Sequence, residues 1–123
     1  MHTFLWIVQA FLAAAFILAG LGKLTQSKEK LEPVLPWTRD FSAGTIRLIG
    51  AAEVLGGLGV VLPAATGIAP VLTPLAATGL AVIMVLAAIT HARRKEPTAI
   101  GANAILFVLA ALVAWGRFGP YAW

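Results

Sequence analysis

The sequence predicts an all-α integral membrane protein, a bundle of four transmembrane helices with short connections. Of its 123 residues 60% are hydrophobic and only 11% charged, and the mean hydropathy is +0.92. Soluble domains have about 25% charged and 45–50% apolar residues, so this composition is typical of membrane proteins. Because the chain contains no cysteine, disulfides, dithiol redox chemistry and thiolate metal sites are excluded. We expect residues 1–123 to form one four-helix domain.

Three stretches without charged residues determine the helix count. They cover residues 3–22, 54–90 and 98–116, which are 20, 37 and 19 residues long. About 20 residues cross the hydrocarbon core of a bilayer, so the middle stretch is too long for one span. Three prolines and a glycine within residues 63–74 can divide it into two helices, the first of which begins further upstream. We therefore predict helices at roughly 3–22, 43–62, 71–91 and 98–116.

The distribution of basic residues predicts the orientation of this bundle. Loops 23–42 and 91–97 share one side and hold seven of the nine Lys and Arg residues, whereas Arg117 alone lies on the other side. The positive-inside rule then predicts that both loops are cytoplasmic and that both termini lie on the outer side. Since topology explains the net charge of +4, we expect no nucleic-acid partner. An aromatic belt is expected at the outer interface, formed by Trp6, Trp115, Tyr121 and Trp123.

The 23–42 loop alternates charged residues with apolar ones, among them Trp37 and Phe41. This pattern suits a segment that lies at the headgroup boundary, and a plain connecting loop is the alternative. The second predicted helix is rich in small residues, and its pair Ala52 and Gly56 permits close helix packing. Such packing serves either the bundle itself or a homo-oligomer.

Glu53 is the only acidic residue inside a predicted span. It lies about nine residues into the second helix, or about 13 Å deep at a rise of 1.5 Å per residue. A carboxyl group near the bilayer centre costs about 2.5–3.5 kcal/mol, so its side chain is expected to face the bundle interior. Glu53 is therefore the best candidate for a catalytic or ligand-binding residue. A carboxyl group with a purely structural role is the alternative.

Further polar residues accompany Glu53 in the same half of the predicted bundle: Lys23, Arg47, His91 and Asn103. With Glu53 they form the predicted ligand-binding set. Arg47 and Glu53 are six positions apart and do not align on one helix face, so Glu53 is expected to pair with another helix. Arg47 can extend toward its own helix end. The alternatives are interfacial anchors for Lys23 and Arg47, a basic-loop residue for His91 and helix-joining hydrogen bonds for Asn103.

Several chemistries are excluded by what the sequence lacks. His2 and His91 lie at opposite ends of the predicted bundle and cannot ligate one haem. No metalloprotease, serine-hydrolase, phosphate-loop or dinucleotide-binding motif is found. One glutamate and one histidine are too few for a closed metal site, so we expect no bound metal.

Four short motifs occur in order along the chain. Residues 19–24 read AGLGKL, residues 47–53 read RLIGAAE, residues 91–96 read HARRKE, and Asn103 opens the last helix. Together they resemble the DoxX and DoxX-like family of small bacterial four-helix membrane proteins. The resemblance implies a multi-pass protein of the bacterial plasma membrane related to quinone-linked oxidoreductases, with a quinone as candidate cofactor. Vitamin K epoxide reductase-like bundles are also similar, but their catalytic cysteines have no counterpart here.

Three functions remain open, and the sequence does not decide whether the chain is an enzyme. The first is a subunit of a membrane oxidoreductase system that binds a lipophilic small molecule beside Glu53. The second is a non-catalytic anchor whose basic loops contact a membrane or peripheral partner protein. The third is a small proton-coupled transporter, which would require a homo-oligomer.

Overall fold

The structure, a computed structural model, describes residues 2–121, so Trp123 lies outside the described residues. Within this range the chain forms helices and connecting turns and contains no strand. The four long helices are α1 (His2–Thr25), α3 (Ala43–Gly59), α5 (Leu72–Arg93) and α6 (Pro97–Phe118). Three short helices lie in the connections: α2 (Lys28–Leu31), a 3-10 helix (Pro36–Asp40) and α4 (Leu62–Thr66).

The predicted count of four spans is confirmed. Four segments are long and apolar enough to cross a membrane: His2–Thr25, Ala43–Thr66, Leu72–Arg93 and Pro97–Phe118. The second segment differs in detail from the continuous helix predicted for residues 43–62. It turns at residues 60–61 and resumes as α4, with Pro63 in the first helical turn, where a missing amide hydrogen is tolerated. Gly67 ends α4 with a left-handed φ of 73°.

The long helices pack as two antiparallel pairs. One pair is α1 with α3 and the other is α5 with α6, and fewer contacts join α3 to α5 and α6 to α1. The backbones of α1 and α3 touch where Gly20 meets Gly50. A Cβ atom added to Gly20 would lie 2.5 Å from the Gly50 carbonyl oxygen, so this crossing requires glycine.

The hydrophobic core fills the half of the bundle nearer the chain termini. It consists of Leu5, Val8, Leu12, Ala13, Phe16, Val60, Ala77, Leu80, Ala81, Met84, Ala110 and Val113. These side chains come from all four long segments. Phe16 and Met84 lie deepest toward the loops and mark the boundary of the core, so the loop half of the bundle is free to hold a cavity.

Candidate functional site

A cavity of about 650 Å³ occupies the loop half of the bundle. Its wall is formed by residues of α1, α3, α5, α6 and the 3-10 helix, and most of these residues are apolar. Phe16 and Met84 separate the cavity from the hydrophobic core, because they belong to both. A volume of about 300–1,000 Å³ is usual for small-molecule sites, and this cavity lies in that range.

A buried ion pair between Lys23 and Glu53 lies in the wall of the cavity. The Lys23 ammonium nitrogen is 2.5 Å from Glu53 Oε1, and the two side chains are only 9% and 6% exposed. Lys23 lies in the last turn of α1 and Glu53 lies on α3, so the close helix crossing at Gly20 and Gly50 brings them together. The Lys23 ammonium also lies 5.7 Å from the ring centroid of Trp37.

Polar groups of α5 and α6 line the cavity opposite this ion pair. Asn103 Nδ2 donates to the Met84 sulfur at 3.5 Å, and Asn103 Oδ1 is buried with no hydrogen-bond partner among the described residues. A thioether is a weak acceptor, so much of the hydrogen-bonding capacity of this amide is unused. His91 also lines the cavity, and its Nδ1 lies 2.9 Å from Glu96 Oε1.

The 3-10 helix covers the loop end of the cavity. Trp37 and Phe41 both line the cavity, with their rings edge to face and 5.7 Å apart. Asp40, at the end of this helix, accepts a hydrogen bond of 2.7 Å from Arg94, which follows α5. The hydrogen bond to Asp40 raises the pKa of the Arg94 guanidinium above its usual range.

Arg47 is the one predicted site residue that the structure does not bring to the cavity wall. Its guanidinium donates to the carbonyl oxygens of Lys23 and Gln26, at 2.5 and 2.7 Å. These carbonyls lie at the end of α1, where helical acceptors lack partners in their own helix. Arg47 therefore fastens α3 to the end of α1. The other four predicted residues, Lys23, Glu53, His91 and Asn103, all line the cavity.

Sequence reasoning did not identify three of the larger side chains in the cavity wall: Trp37, Phe41 and Met84. The pattern of the 23–42 loop suited either a segment at the headgroup boundary or a plain connecting loop, and in the structure its Trp37 and Phe41 line the cavity. No signal in a single sequence gives this placement, because it depends on how the loop folds back over the bundle.

A second buried polar group lies at the opposite end of the bundle, and the sequence did not predict that Arg117 belongs to it. Arg117 is only 2% exposed, and its Nε donates to Gln9 Oε1 at 2.9 Å. Arg117 Nη1 lies 2.7 Å from His2 Nδ1, while Gln9 Nε2 donates to the Val60 carbonyl at 2.7 Å. This group joins α1 and α6 and satisfies a carbonyl at the turn that ends α3. Gln9, a polar residue within the apolar first span, is the sequence feature that could have indicated this group.

Metal binding has no geometric support in the described part of the chain. Across residues 2–121 no three His, Asp or Glu side chains come together in a group that could hold a metal ion. The polar residues of the cavity instead supply hydrogen-bond donors and acceptors.

Comparison with known proteins identifies the family. The model of the DoxX-like family matches residues 7–113, which include every residue that lines the cavity. Comparison with curated proteins and with solved structures finds no match. The family match covers most of the chain and extends over all four long helices. The chain belongs to the DoxX-like family.

Proposed function

We propose that this DoxX-like protein is a multi-pass membrane protein that binds a lipophilic small molecule in the loop-half cavity. The main support for this proposal is the Lys23–Glu53 pair, which lies buried in the wall of an otherwise mostly apolar cavity. Such a combination of apolar walls and a few convergent polar groups is typical of small-molecule sites. The apolar wall contacts the hydrophobic part of the ligand, and the charged pair orients its polar head.

The polar groups support a ligand whose head carries oxygen atoms. Lys23 has three ammonium protons, and one of them is directed at Glu53, so the ammonium can also donate to a ligand carbonyl. Asn103 offers a buried acceptor from the opposite side. A quinone fits this chemistry: its carbonyl oxygen would accept a hydrogen bond from the Lys23 ammonium, the protonated member of the pair, and the hydroxyl of its reduced form would donate to Asn103 Oδ1. A quinone ligand would suit a role in a membrane oxidoreductase system. We also propose that loops 23–42 and 91–97 lie in the bacterial cytoplasm, because they hold most of the basic residues.

The test is native mass spectrometry of the protein extracted gently from its host membranes. We expect a bound lipophilic molecule on the wild-type protein and its loss from Glu53→Gln. The matched control is Glu32→Gln, which makes the same change in a loop residue that does not line the cavity. Wild-type protein without a bound small molecule would contradict the proposal, and so would equal retention by Glu53→Gln.

A membrane anchor for a partner protein is the second candidate function. The loop end exposes four basic side chains, Lys30, Arg39, Arg93 and Lys95, which suit an acidic protein surface. In the same mass spectra this function predicts a stoichiometric second polypeptide that remains bound to Glu53→Gln. Charge reversal of Lys30 and Arg39 should release that polypeptide, whereas a lipophilic ligand in the cavity would be unaffected.

A further inference from the structure

Helices α3 and α5 touch near the chain termini and leave space between them near the loops. A Cβ atom added to Gly56 would lie 2.5 Å from Leu80 Cδ2, so the helices are in close contact at that level. Two turns closer to the loops, Leu48 of α3 and Leu86 of α5 instead both line the cavity. The cavity therefore extends into the space between these two helices.

The cavity reaches the outer surface of the bundle through this space. Leu48 is 71% exposed and Leu86 is 59% exposed, although both line the cavity. Phe16 and Met84 close the cavity toward the core, and the 3-10 helix with Trp37 lies toward the loops. Because Leu48 and Leu86 belong to segments long and apolar enough to cross a membrane, the opening between them faces lipid.

We infer that the cavity opens sideways into the bilayer and that its ligand is an amphiphile with a hydrocarbon chain. This inference rests on the proposed function and names the class of ligand. The polar head lies beside Lys23 and Glu53, and the chain leaves between Leu48 and Leu86 into the adjacent leaflet.

The transfer free energy of the ligand's hydrocarbon chain favours entry through such a lateral opening. Moving a CH₂ group from water into an apolar medium is favourable, and the gain grows with each further CH₂ group. A chain that passes from the bilayer through an apolar opening never contacts water, whereas the route past the loops crosses the charged contact between Arg94 and Asp40. A lateral opening therefore lets a bilayer-dissolved ligand reach the ion pair without desolvating that contact or moving the 3-10 helix.

Photo-crosslinking in lipid vesicles tests this inference. The probe is a phosphatidylcholine whose acyl chain carries a diazirine, and the adducts are located by peptide mass spectrometry. We expect an adduct on Phe16, which is buried and accessible to a chain only from inside the cavity. The adduct should be lost in Leu48→Trp/Leu86→Trp and kept in Leu55→Trp, which alters an exposed leucine of α3 outside the cavity wall. Leu18, exposed on α1, should be labelled in every variant.

The outcomes separate this inference from the proposed function. Labelling of Leu18 without Phe16 would overturn the lateral opening, and so would Phe16 labelling that survives Leu48→Trp/Leu86→Trp. A retained molecule that is compact and lacks a chain would overturn the ligand class while leaving the proposed function intact. Phe16 labelling with no retained molecule in native mass spectra would overturn the proposed function and support the opening, with bulk lipid as its occupant.

Discussion

Replacing Lys23 with methionine should destabilise the protein because it removes one partner of a buried ion pair. Methionine keeps most of the apolar length of the lysine stem, so the main loss is the ammonium group. The Glu53 carboxyl group then stays in the cavity wall without the partner that lies 2.5 Å away in the wild type. The expected result is a lower free energy of unfolding and a lower Tm in detergent.

The structure sets the size of this effect. At 2.5 Å and an effective dielectric constant of about 20, two unit charges attract by about 7 kcal/mol. Burial of each ion opposes this attraction by several kcal/mol, so the pair adds little net stability compared with neutral side chains. Removal of a single partner is different, because the remaining group stays buried, and it should cost about 3–5 kcal/mol.

A double-mutant cycle measures this coupling. The variants are Lys23→Met, Glu53→Gln and the double variant, unfolded by SDS in mixed micelles and followed by far-UV circular dichroism. We expect the double variant to be more stable than Lys23→Met alone, with a coupling energy of at least about 2 kcal/mol. The control is Lys30→Met, which changes an exposed lysine of α2 and should alter stability by less than about 0.5 kcal/mol. Single effects that add to within about 0.5 kcal/mol would show that Lys23 and Glu53 are not coupled.

Two further predictions use the same unfolding assay, and a third uses amide hydrogen exchange. Gly20→Ala should lower the free energy of unfolding by about 1–3 kcal/mol, because its Cβ would overlap the facing backbone of α3. Gly22→Ala is the control, since a Cβ there would have nothing within 4 Å and should be tolerated. Equal effects of the two substitutions would contradict the close crossing. Gln9→Leu should cost about 1–3 kcal/mol because it leaves the buried Val60 carbonyl without its donor, and an unchanged Tm would argue against that contact. Arg94→Ala should leave stability nearly unchanged but speed amide hydrogen exchange in the 3-10 helix, and unchanged exchange would show that this contact does not hold the helix.

The number of helices and most of their ends could be predicted from the sequence because hydropathy and charge act locally. The turn at residues 60–61 could not, since residues 43–62 read as one apolar helix. The structure stabilises this turn by a long-range contact, in which Gln9 of α1 donates to the carbonyl of Val60. A pattern within one segment does not contain that information.

The depth of the candidate site along the bundle could be predicted from the sequence, whereas the residue that pairs with Glu53 could not. The six-residue separation of Arg47 and Glu53 indicated that Glu53 pairs with another helix, and the structure pairs it with Lys23. The choice among Lys23, His91 and Asn103 depends on how each helix is rotated about its axis. That rotation follows from glycine contacts between helices, which become visible only when the helices are packed together.

A substitution that fills the cavity tests whether the cavity holds a lipophilic ligand. Ala52, the residue before Glu53, lines the cavity. The substitution Ala52→Trp would fill part of the cavity volume and would leave Lys23 and Glu53 unchanged. Native mass spectrometry of protein from host membranes should show a bound lipophilic molecule on the wild type and on Leu55→Trp, and none on Ala52→Trp. Retention of the same molecule by folded Ala52→Trp would show that the molecule binds outside the cavity.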